Sequence, residues 1–256
     1  MIHEAVSTRV QDRVLIVTID RPDRRNAIDH ATAQQLEAAW DTLDGDPNLL
    51  AAILTGAGGS FCAGADLKAA AAGSPPARTD RRGQFGTVQV PPEKPLVAAV
   101  EGDALGGGCE LALACDLIVA SRTSRFGLPE SRRGVLAAAG GLIRLPHRLP
   151  LNIAKEMALT GAPQRAERLY GLGLINRLCE PGEALAVAFE VARTIAENAP
   201  LAVAAAKRVM TAALSVTEAE AWALQQPELD RVRGSADYRE GIAAFAEKRE
   251  PKWQGR

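Results

Sequence analysis

Two glutamates in this 256-residue chain lie beside apolar or glycine-rich residues, where a carboxylate is unusual. Glu110 belongs to the run Cys109–Leu113, which is otherwise cysteine, leucine and alanine, and Glu130 ends the run Phe126–Glu130. A glutamate in so apolar a helix is either paired or functional, and carboxylates are common general acids and bases. The residues alone favour a functional Glu110 over a solvated helix carboxylate. For Glu130 they favour a surface loop acid or a helix cap.

Glycines precede the helix that carries Glu110. Gly106–Gly108 follows a predicted strand, and so does the small-residue run Ser60–Leu67. The first N–H groups of a helix have no intrahelical partner and lie at its positive end, so the amide of Gly107 is a natural donor to an anion. Glu110 lies three residues further on, about one turn along the same face.

The sequence lacks the residues that nucleotide-binding, serine-hydrolase and zinc sites require. Gly56–Phe61 lacks the third glycine of a dinucleotide fingerprint, and Gly59–Gly64 lacks the Lys-Ser/Thr of a phosphate loop. No Gly-x-Ser-x-Gly occurs, the three histidines stand in unpromising contexts, and zinc ligands at workable spacing are missing. The sequence therefore predicts no metal site, and points to chemistry by carboxylates and backbone amides.

The composition is that of an ordinary globular enzyme, with 47% hydrophobic and 24% charged residues. The net charge of −1 gives no general reason to bind nucleic acid or an anionic membrane. No apolar run is long enough to span a bilayer, and Met1–Arg13 lacks the apolar core of a signal peptide. The four cysteines have mostly apolar neighbours, as reduced thiols do. We expect a cytoplasmic protein without membrane or nucleic-acid partners.

Strands and helices alternate along the first two thirds of the chain, which predicts an α/β fold. Asp29 is expected to cap one of the helices. The segment Ala69–Pro95 has no sustained period and predicts a variable, partly mobile loop or lid with some helix. From Glu183 onward only helical patterns remain, so we divide the chain into a core, 1–182, and a helical region, 183–256. The predicted strands are Val14–Ile19, Ala51–Leu54, Leu96–Val100 and Leu117–Ala120.

Three segments in this order and spacing resemble the enoyl-CoA hydratase/isomerase (crotonase) superfamily: Phe61–Leu67, Gly102–Asp116 and Phe126–Glu130. The first two together are highly specific, and the resemblance covers nearly the whole chain. It implies the crotonase fold, a ClpP-like spiral of ββα units followed by a C-terminal helical trimerisation region.

The resemblance also implies roles at the site. The backbone amides of Ala65 and Gly107 would hold a thioester oxygen, Glu110 would chiefly activate water, and Glu130 would chiefly serve the Cα proton. Relatives that isomerise, hydrolyse or decarboxylate often lack one of these acids. The presence of both Glu110 and Glu130 in this sequence therefore favours an enoyl-CoA hydratase. The alternatives are an isomerase or other enolate-forming acyl-CoA enzyme, and a non-catalytic acyl-CoA-binding or RNA-binding relative.

Coenzyme A, as part of the substrate, would be bound around Arg24, Arg25 and the run Ala63–Lys68, with Lys248 often reaching it from a neighbouring subunit. Plain solvated charge remains the other interpretation of Arg24, Arg25 and Lys248. The run comprises Ala63, Gly64, Ala65, Asp66, Leu67 and Lys68. The resemblance implies no further cofactor. It also implies that the protein assembles into a homotrimer or homohexamer.

The sequence departs from the usual hydratase pattern after Glu130. Ser131–Ala139 replaces a proline-containing turn, and Leu142 replaces a threonine, while Leu145-Pro146 resembles the branch that contains carnitinyl-CoA dehydratases. A standard straight-chain substrate is therefore in doubt. Arg132 or Arg133 could meet a charged substrate tail, although surface charge is the simpler interpretation of both.

Overall fold

Runs of β-branched and leucine residues form the strands of a central sheet, and alanine-rich amphipathic runs form the helices around it. The computed structural model describes residues 5–256. The strands are β1 (Val6–Gln11), β2 (Val14–Ile19), β3 (Ala51–Gly56), β4 (Arg78–Thr79), β5 (Gly83–Gln84), β6 (Leu96–Val100), β7 (Asp103–Leu105), β8 (Leu117–Ser121), β9 (Arg125–Gly127), β10 (Gln164–Arg165) and β11 (Arg177–Cys179). The helices are α1 (His30–Gly45), α2 (Leu67–Ala71), α3 (Gly107–Ala114), α4 (Gly141–Arg148), α5 (Leu151–Thr160), α6 (Ala166–Gly171), α7 (Ala184–Ala196), α8 (Pro200–Ala213), α9 (Glu218–Gly234) and α10 (Ala236–Glu247).

The main sheet has six strands in the order β1-β2-β3-β6-β8-β11. Only β1 and β2 pair antiparallel, and every other neighbouring pair in this sheet is parallel. Helices cover both faces, as parallel sheets require, so β6 is buried along its whole length. The alanines of α7 recur every four residues and let that helix approach one face closely: Ala184, Ala188, Ala192 and Ala196.

A second, three-stranded sheet has the order β10-β9-β7. Its strand β7 leads through Gly106 directly into α3, and a parallel bridge from Cys62 to Ala104 attaches the chain that follows β3. This sheet therefore fixes the start of α3 against the segment Phe61–Leu67, the two sequence elements predicted to form the site.

The segment Ala69–Pro95 contains the short strands β4 and β5 and is joined to α1 by a buried arginine. Arg82 is only 8% exposed and pairs with Asp41 and Asp44 of α1 at 3.0 Å each. A buried guanidinium needs such partners, so this ion-paired arginine fastens the segment to α1. The expected mobility of the segment stays a prediction.

The predicted strands and the helix capped by Asp29 are present, with the Asp29 side chain accepting from the Thr32 amide. The helix α9 runs through Pro227 and its apolar residues show little periodicity, but Thr217 and Glu220 form a capping box at its start. Within residues 5–256, no helix has the length and apolarity to cross a membrane. The boundary between 182 and 183 stays a prediction, and α7 beyond it packs on the sheet.

Candidate active site

An extended segment with alternating burial brings the first amide to the site. Cys62, Gly64 and Asp66 face inward, whereas Ala63, Ala65 and Leu67 are exposed. Ile28 donates its amide to the Gly64 carbonyl at 2.8 Å and accepts from the Asp66 amide at 2.8 Å. Because alternate residues of an extended chain point in opposite directions, the N–H of Ala65 points away from Ile28.

The second amide is the first of α3. Gly106, at φ 55° and ψ −127°, adopts a backbone conformation that only glycine enters readily, and this turn aims the Gly107 N–H outward from the helix start. The two segments touch, since a Cβ on Gly64 would lie 2.8 Å from the Gly107 nitrogen. Neither the Ala65 nor the Gly107 amide donates to another group within residues 5–256. Two unpaired backbone donors therefore lie in adjacent segments.

Both amides line one cavity of about 290 Å³, together with the two glutamates singled out in the sequence. The wall opposite Ala65 comes from the segment that follows Glu130. The residues that line this cavity are Ala63, Ala65, Leu67, Gln84, Phe85, Gly106, Gly107, Glu110, Pro129, Glu130, Arg133, Val135, Leu136, Ala138 and Ala139. The sequence-predicted acids and amides are thus brought together.

Glu110 is buried on the first turn of α3 and is 2% exposed. Its Oε1 accepts hydrogen bonds from the amides of Ala139 at 2.8 Å and Gly141 at 2.9 Å. Burial raises the pKa of Glu110, the two amide donors oppose part of that rise, and the nearby Glu130 carboxylate adds to it. These two amides hold Oε1, and with it the carboxylate group, in place.

Glu130 lies on a 3₁₀ turn, Pro129–Arg133, and is half-buried. Its Oε2 is buried and has no hydrogen-bond partner within residues 5–256. Burial raises the pKa of Glu130, and the charge of Arg133 offsets part of the rise. A buried carboxylate oxygen without a partner is costly, so Glu130 can hold a proton more readily than an exposed glutamate and is free to hydrogen-bond a ligand.

The residues proposed to bind coenzyme A lie next to this site, with the exception of Lys248. Arg24 and Arg25 are exposed, and the Arg25 carbonyl accepts from the Ala63 amide at 3.0 Å. A second cavity of about 330 Å³ shares Ala65 with the first and extends along α2. Lys248 is the C-cap residue of α10. Within residues 5–256 it makes no ion pair or hydrogen bond to Arg24, Arg25 or the run Ala63–Lys68.

Asp66 and Lys68 differ in what their side chains do. Asp66 caps α2 by accepting from the amides of Lys68 and Ala69, and it pairs with Arg21 at 3.0 Å. Burial alone would raise the pKa of Asp66, but the Ala69 amide and the Arg21 charge lower it overall. Its carboxylate therefore holds the segment in place, whereas Lys68 is exposed.

Several lining residues were not predicted. The side-chain oxygen of Gln84 is buried and has no hydrogen-bond partner among residues 5–256. Phe85, at φ 56°, packs its ring against Gly107, where a Cβ added to the glycine would lie 2.3 Å from the ring. Both belong to the segment whose sequence has no periodic signal. Of the two arginines left open, Arg133 lines the cavity, while Arg132 donates to the Thr160 carbonyl at 2.8 Å.

Within the part of the chain that the structure describes, no cluster of histidine, cysteine, aspartate and glutamate is arranged to hold a metal ion. The four cysteines are free and buried.

The fold and the site define a crotonase-type protein. The family model described as enoyl-CoA hydratase/isomerase matches residues 9–256, and the chain belongs to this family. An enoyl-CoA hydratase structure from Mycobacterium tuberculosis H37Rv superposes with a TM-score of 0.97 at 51% identity, covering 99% of this chain and 100% of that one. The predicted family and fold are confirmed.

Curated relatives span the whole chain as well. A carnitinyl-CoA dehydratase of Proteus mirabilis is 42% identical over 250 residues, which is 95% of each chain. A mevalonyl-coenzyme A hydratase of Aspergillus fumigatus is 39% identical over 251 residues, 94% of this chain and 91% of the relative. Both names describe carbon–oxygen chemistry on acyl-coenzyme A thioesters.

Proposed function

We propose that this chain adds water reversibly across the 2,3 double bond of an acyl-coenzyme A thioester. The observation that carries the proposal is the convergence of two unpaired amides, Ala65 and Gly107, and two buried acids, Glu110 and Glu130, on one cavity. The names of the relatives, hydratases and dehydratases of acyl-CoA, support the same reaction.

The thioester oxygen would accept from the amides of Ala65 and Gly107, which stabilise the enolate-like charge that develops on addition. Ionised Glu110 would take a proton from water as the water oxygen bonds to Cβ. Protonated Glu130 would deliver a proton to Cα as the enolate collapses. Water is consumed, one C–O and one C–H bond form, and a proton returns from Glu110 to Glu130 before the next cycle. No cofactor other than the substrate's own coenzyme A enters these steps.

Coenzyme A would lie along Arg24, Arg25 and the run Ala63–Lys68. Ala65 and Asp66 of this run line the cavity of about 330 Å³ beside α2, which shares Ala65 with the cavity that holds the acids. Phosphate groups suit the exposed guanidinium groups, and pantetheine suits the small side chains of the run.

Assembly into a homotrimer or homohexamer is part of the proposal. The C-terminal helices carry large exposed apolar side chains, among them Met210 at 72%, Trp222 at 63% and Phe245 at 89%. Apolar surface of this kind marks an interface. Lys248, three residues beyond Phe245, would then reach a neighbour's coenzyme A. The four reduced cysteines suit a cytoplasmic enzyme.

The experiment measures loss of the conjugated-thioester absorbance of crotonyl-CoA for the wild type, Glu110→Gln, Glu130→Gln and the exposed control Glu167→Gln. General acid–base groups contribute on the order of 10²–10⁴-fold, so each active-site variant is expected to lose about that much of kcat while still binding coenzyme A. The control should keep wild-type activity.

Two results would redirect the proposal. Migration of the double bond without incorporation of oxygen from ¹⁸O-labelled water would favour an isomerase. Tight coenzyme A binding without turnover of crotonyl-CoA or crotonobetainyl-CoA would favour a different acyl group or a non-catalytic acyl-CoA-binding protein.

A further inference from the structure

A larger cavity, of about 630 Å³, lies at the other end of α3 from the acids. Leu113 and Ala114 of α3 line it, whereas Gly107 and Glu110 line the active-site cavity, and the two cavities share no residue. At 1.5 Å per residue, Gly107 and Ala114 are separated by about 10 Å along the helix. The proposed hydration reaction does not use this second space.

Two arginines project from α4 into this cavity, one helical turn apart. Arg144 donates to the Val88 carbonyl at 2.6 Å, and Arg148 donates to the Cys115 carbonyl at 2.9 Å. Neither forms an ion pair with a carboxylate within residues 5–256. Both are only partly exposed, and burial lowers the pKa of each guanidinium group. Each has five N–H donors, so most of their hydrogen-bonding capacity is unused.

The other cations of the lining are already paired. Lys207 lies 2.7 Å from Asp116 and also donates to the carbonyls of Pro92 and Lys94. Arg208 binds Glu228 through two nitrogens, at 2.9 and 2.6 Å. The unpaired positive charge is therefore concentrated on α4.

One lining carboxylate remains. Glu93 is exposed, and it forms no ion pair with Arg144 or Arg148 in the part of the chain described. It therefore does not neutralise the pair.

We propose that this cavity binds an oxyanion group, a carboxylate or a phosphate, between Arg144 and Arg148. Adjacent guanidinium forks suit the planar or tetrahedral oxygens of such a group. Glu110 and Asp116 act on these arginines only at a distance, without an ion pair, so the half-buried guanidinium groups favour an anionic ligand. The buried side chains of Leu113 and Ala114 in the lining fit a short aliphatic chain attached to that group. The volume is that of an ordinary small-molecule site. The occupant we propose is a small amphiphilic molecule that carries this oxyanion.

Calorimetric titration of the full chain with sodium octanoate and with octyl phosphate tests the proposal. Each titration is done both without coenzyme A and with saturating coenzyme A, so that probe binding at the active site and competition by the phosphates of coenzyme A are both recognised. The wild type is compared with Arg148→Gln and with Arg177→Gln, the latter at an exposed arginine whose guanidinium, within residues 5–256, donates to the carbonyl of the preceding residue alone. Saturable binding is expected in the wild type and in Arg177→Gln, and it should be at least about tenfold weaker in Arg148→Gln, the loss expected for a charge-assisted hydrogen-bonded contact.

Thr211→Glu is a second variant that changes only an exposed residue of the cavity rim, and it should weaken binding similarly by adding a competing carboxylate. If circular dichroism shows that Arg148→Gln does not fold, Thr211→Glu alone decides whether the probes bind in this cavity. Sedimentation of the same proteins tests for a different occupant. If neither probe binds the wild type but Arg148→Gln lowers the oligomeric mass, a second copy of the chain covers this cavity and the proposal is overturned. Equal binding to all variants, or no binding together with unchanged mass, overturns the proposal. No outcome depends on turnover, so the proposed hydration stands or falls separately.

Discussion

The active-site cavity has two walls of different construction. The amide wall, Ala63–Leu67 with Gly106–Glu110, is fixed by backbone contacts: a Cβ on Gly108 would lie 1.9 Å from the Cys62 carbonyl oxygen. The acyl wall, Ser131–Ala139, consists largely of exposed side chains, with Leu136 72% and Val135 58% exposed. In the proposed function, the chemistry therefore depends on backbone positions that tolerate only small residues. The choice of acyl group, in the same proposal, depends on exposed side chains that can change without disturbing the fold.

The largest effect is expected from a single methyl group added to the amide wall. In Gly64→Ala the new Cβ would meet the Gly107 nitrogen at 2.8 Å and displace one of the two donors. Losing one oxyanion donor costs about 10²–10³-fold in kcat, and this is the loss we expect for crotonyl-CoA hydration.

The matched control is Gly173→Ala. Gly173 has a similar φ, +85° against +92° for Gly64, but nothing lies within 4 Å of its Cβ position. Both variants bear the strain of a positive φ, about 1 kcal/mol of stability, yet only Gly64→Ala should lose activity. Equal activity in the two variants would show that the contact between the Gly64 and Gly107 segments does not matter.

A smaller effect is expected on the acyl wall. Arg133 lines the cavity and should repel a cationic acyl group such as that of crotonobetainyl-CoA. Charges about 4 Å apart in water interact by about 1 kcal/mol, so Arg133→Gln should raise kcat/KM for crotonobetainyl-CoA, relative to crotonyl-CoA, about fivefold. Arg132→Gln is the control, because Arg132 is bonded to Thr160 outside the cavity lining. If the ratio of kcat/KM for crotonobetainyl-CoA to that for crotonyl-CoA is the same in Arg133→Gln as in the wild type, Arg133 does not determine substrate specificity.

The same contrast explains what the sequence could predict. Gly107 and Glu110 could be singled out because a helix start and a lone acid in an apolar helix have direct physical meanings, whereas Ala65 was indicated only by the family resemblance. Gln84 and Phe85 could not be singled out, because Arg82 fastens their segment to α1 through Asp41 and Asp44, which are distant in sequence. Likewise, the two amides that hold Glu110 come from Ala139 and Gly141, about thirty residues away, and no local pattern indicates that contact.

The smallest effect concerns stability. The pKa of Glu130 is raised by burial, so its ionised form disfavours the folded state, and this cost is present at pH values above the raised pKa. Glu130→Gln should therefore increase the melting temperature at pH 8, and the gain should disappear as the pH falls below the ordinary glutamate pKa. Thermal unfolding at pH 8 and pH 4 measures this, with exposed Glu167→Gln as the control. A Glu130→Gln protein that melts lower than the wild type at pH 8 would contradict burial as the dominant influence on this carboxyl.

The central claim is that the amides of Ala65 and Gly107 polarise the thioester carbonyl. It is tested most directly by the infrared stretching frequency of ¹³C-labelled crotonyl-CoA carbonyl bound to Glu130→Gln, in which turnover is suppressed. We predict a stretch at lower frequency than in water, which moves back toward the value in water when Gly64→Ala is added. An unshifted carbonyl in Glu130→Gln, with the thioester bound, would contradict the account.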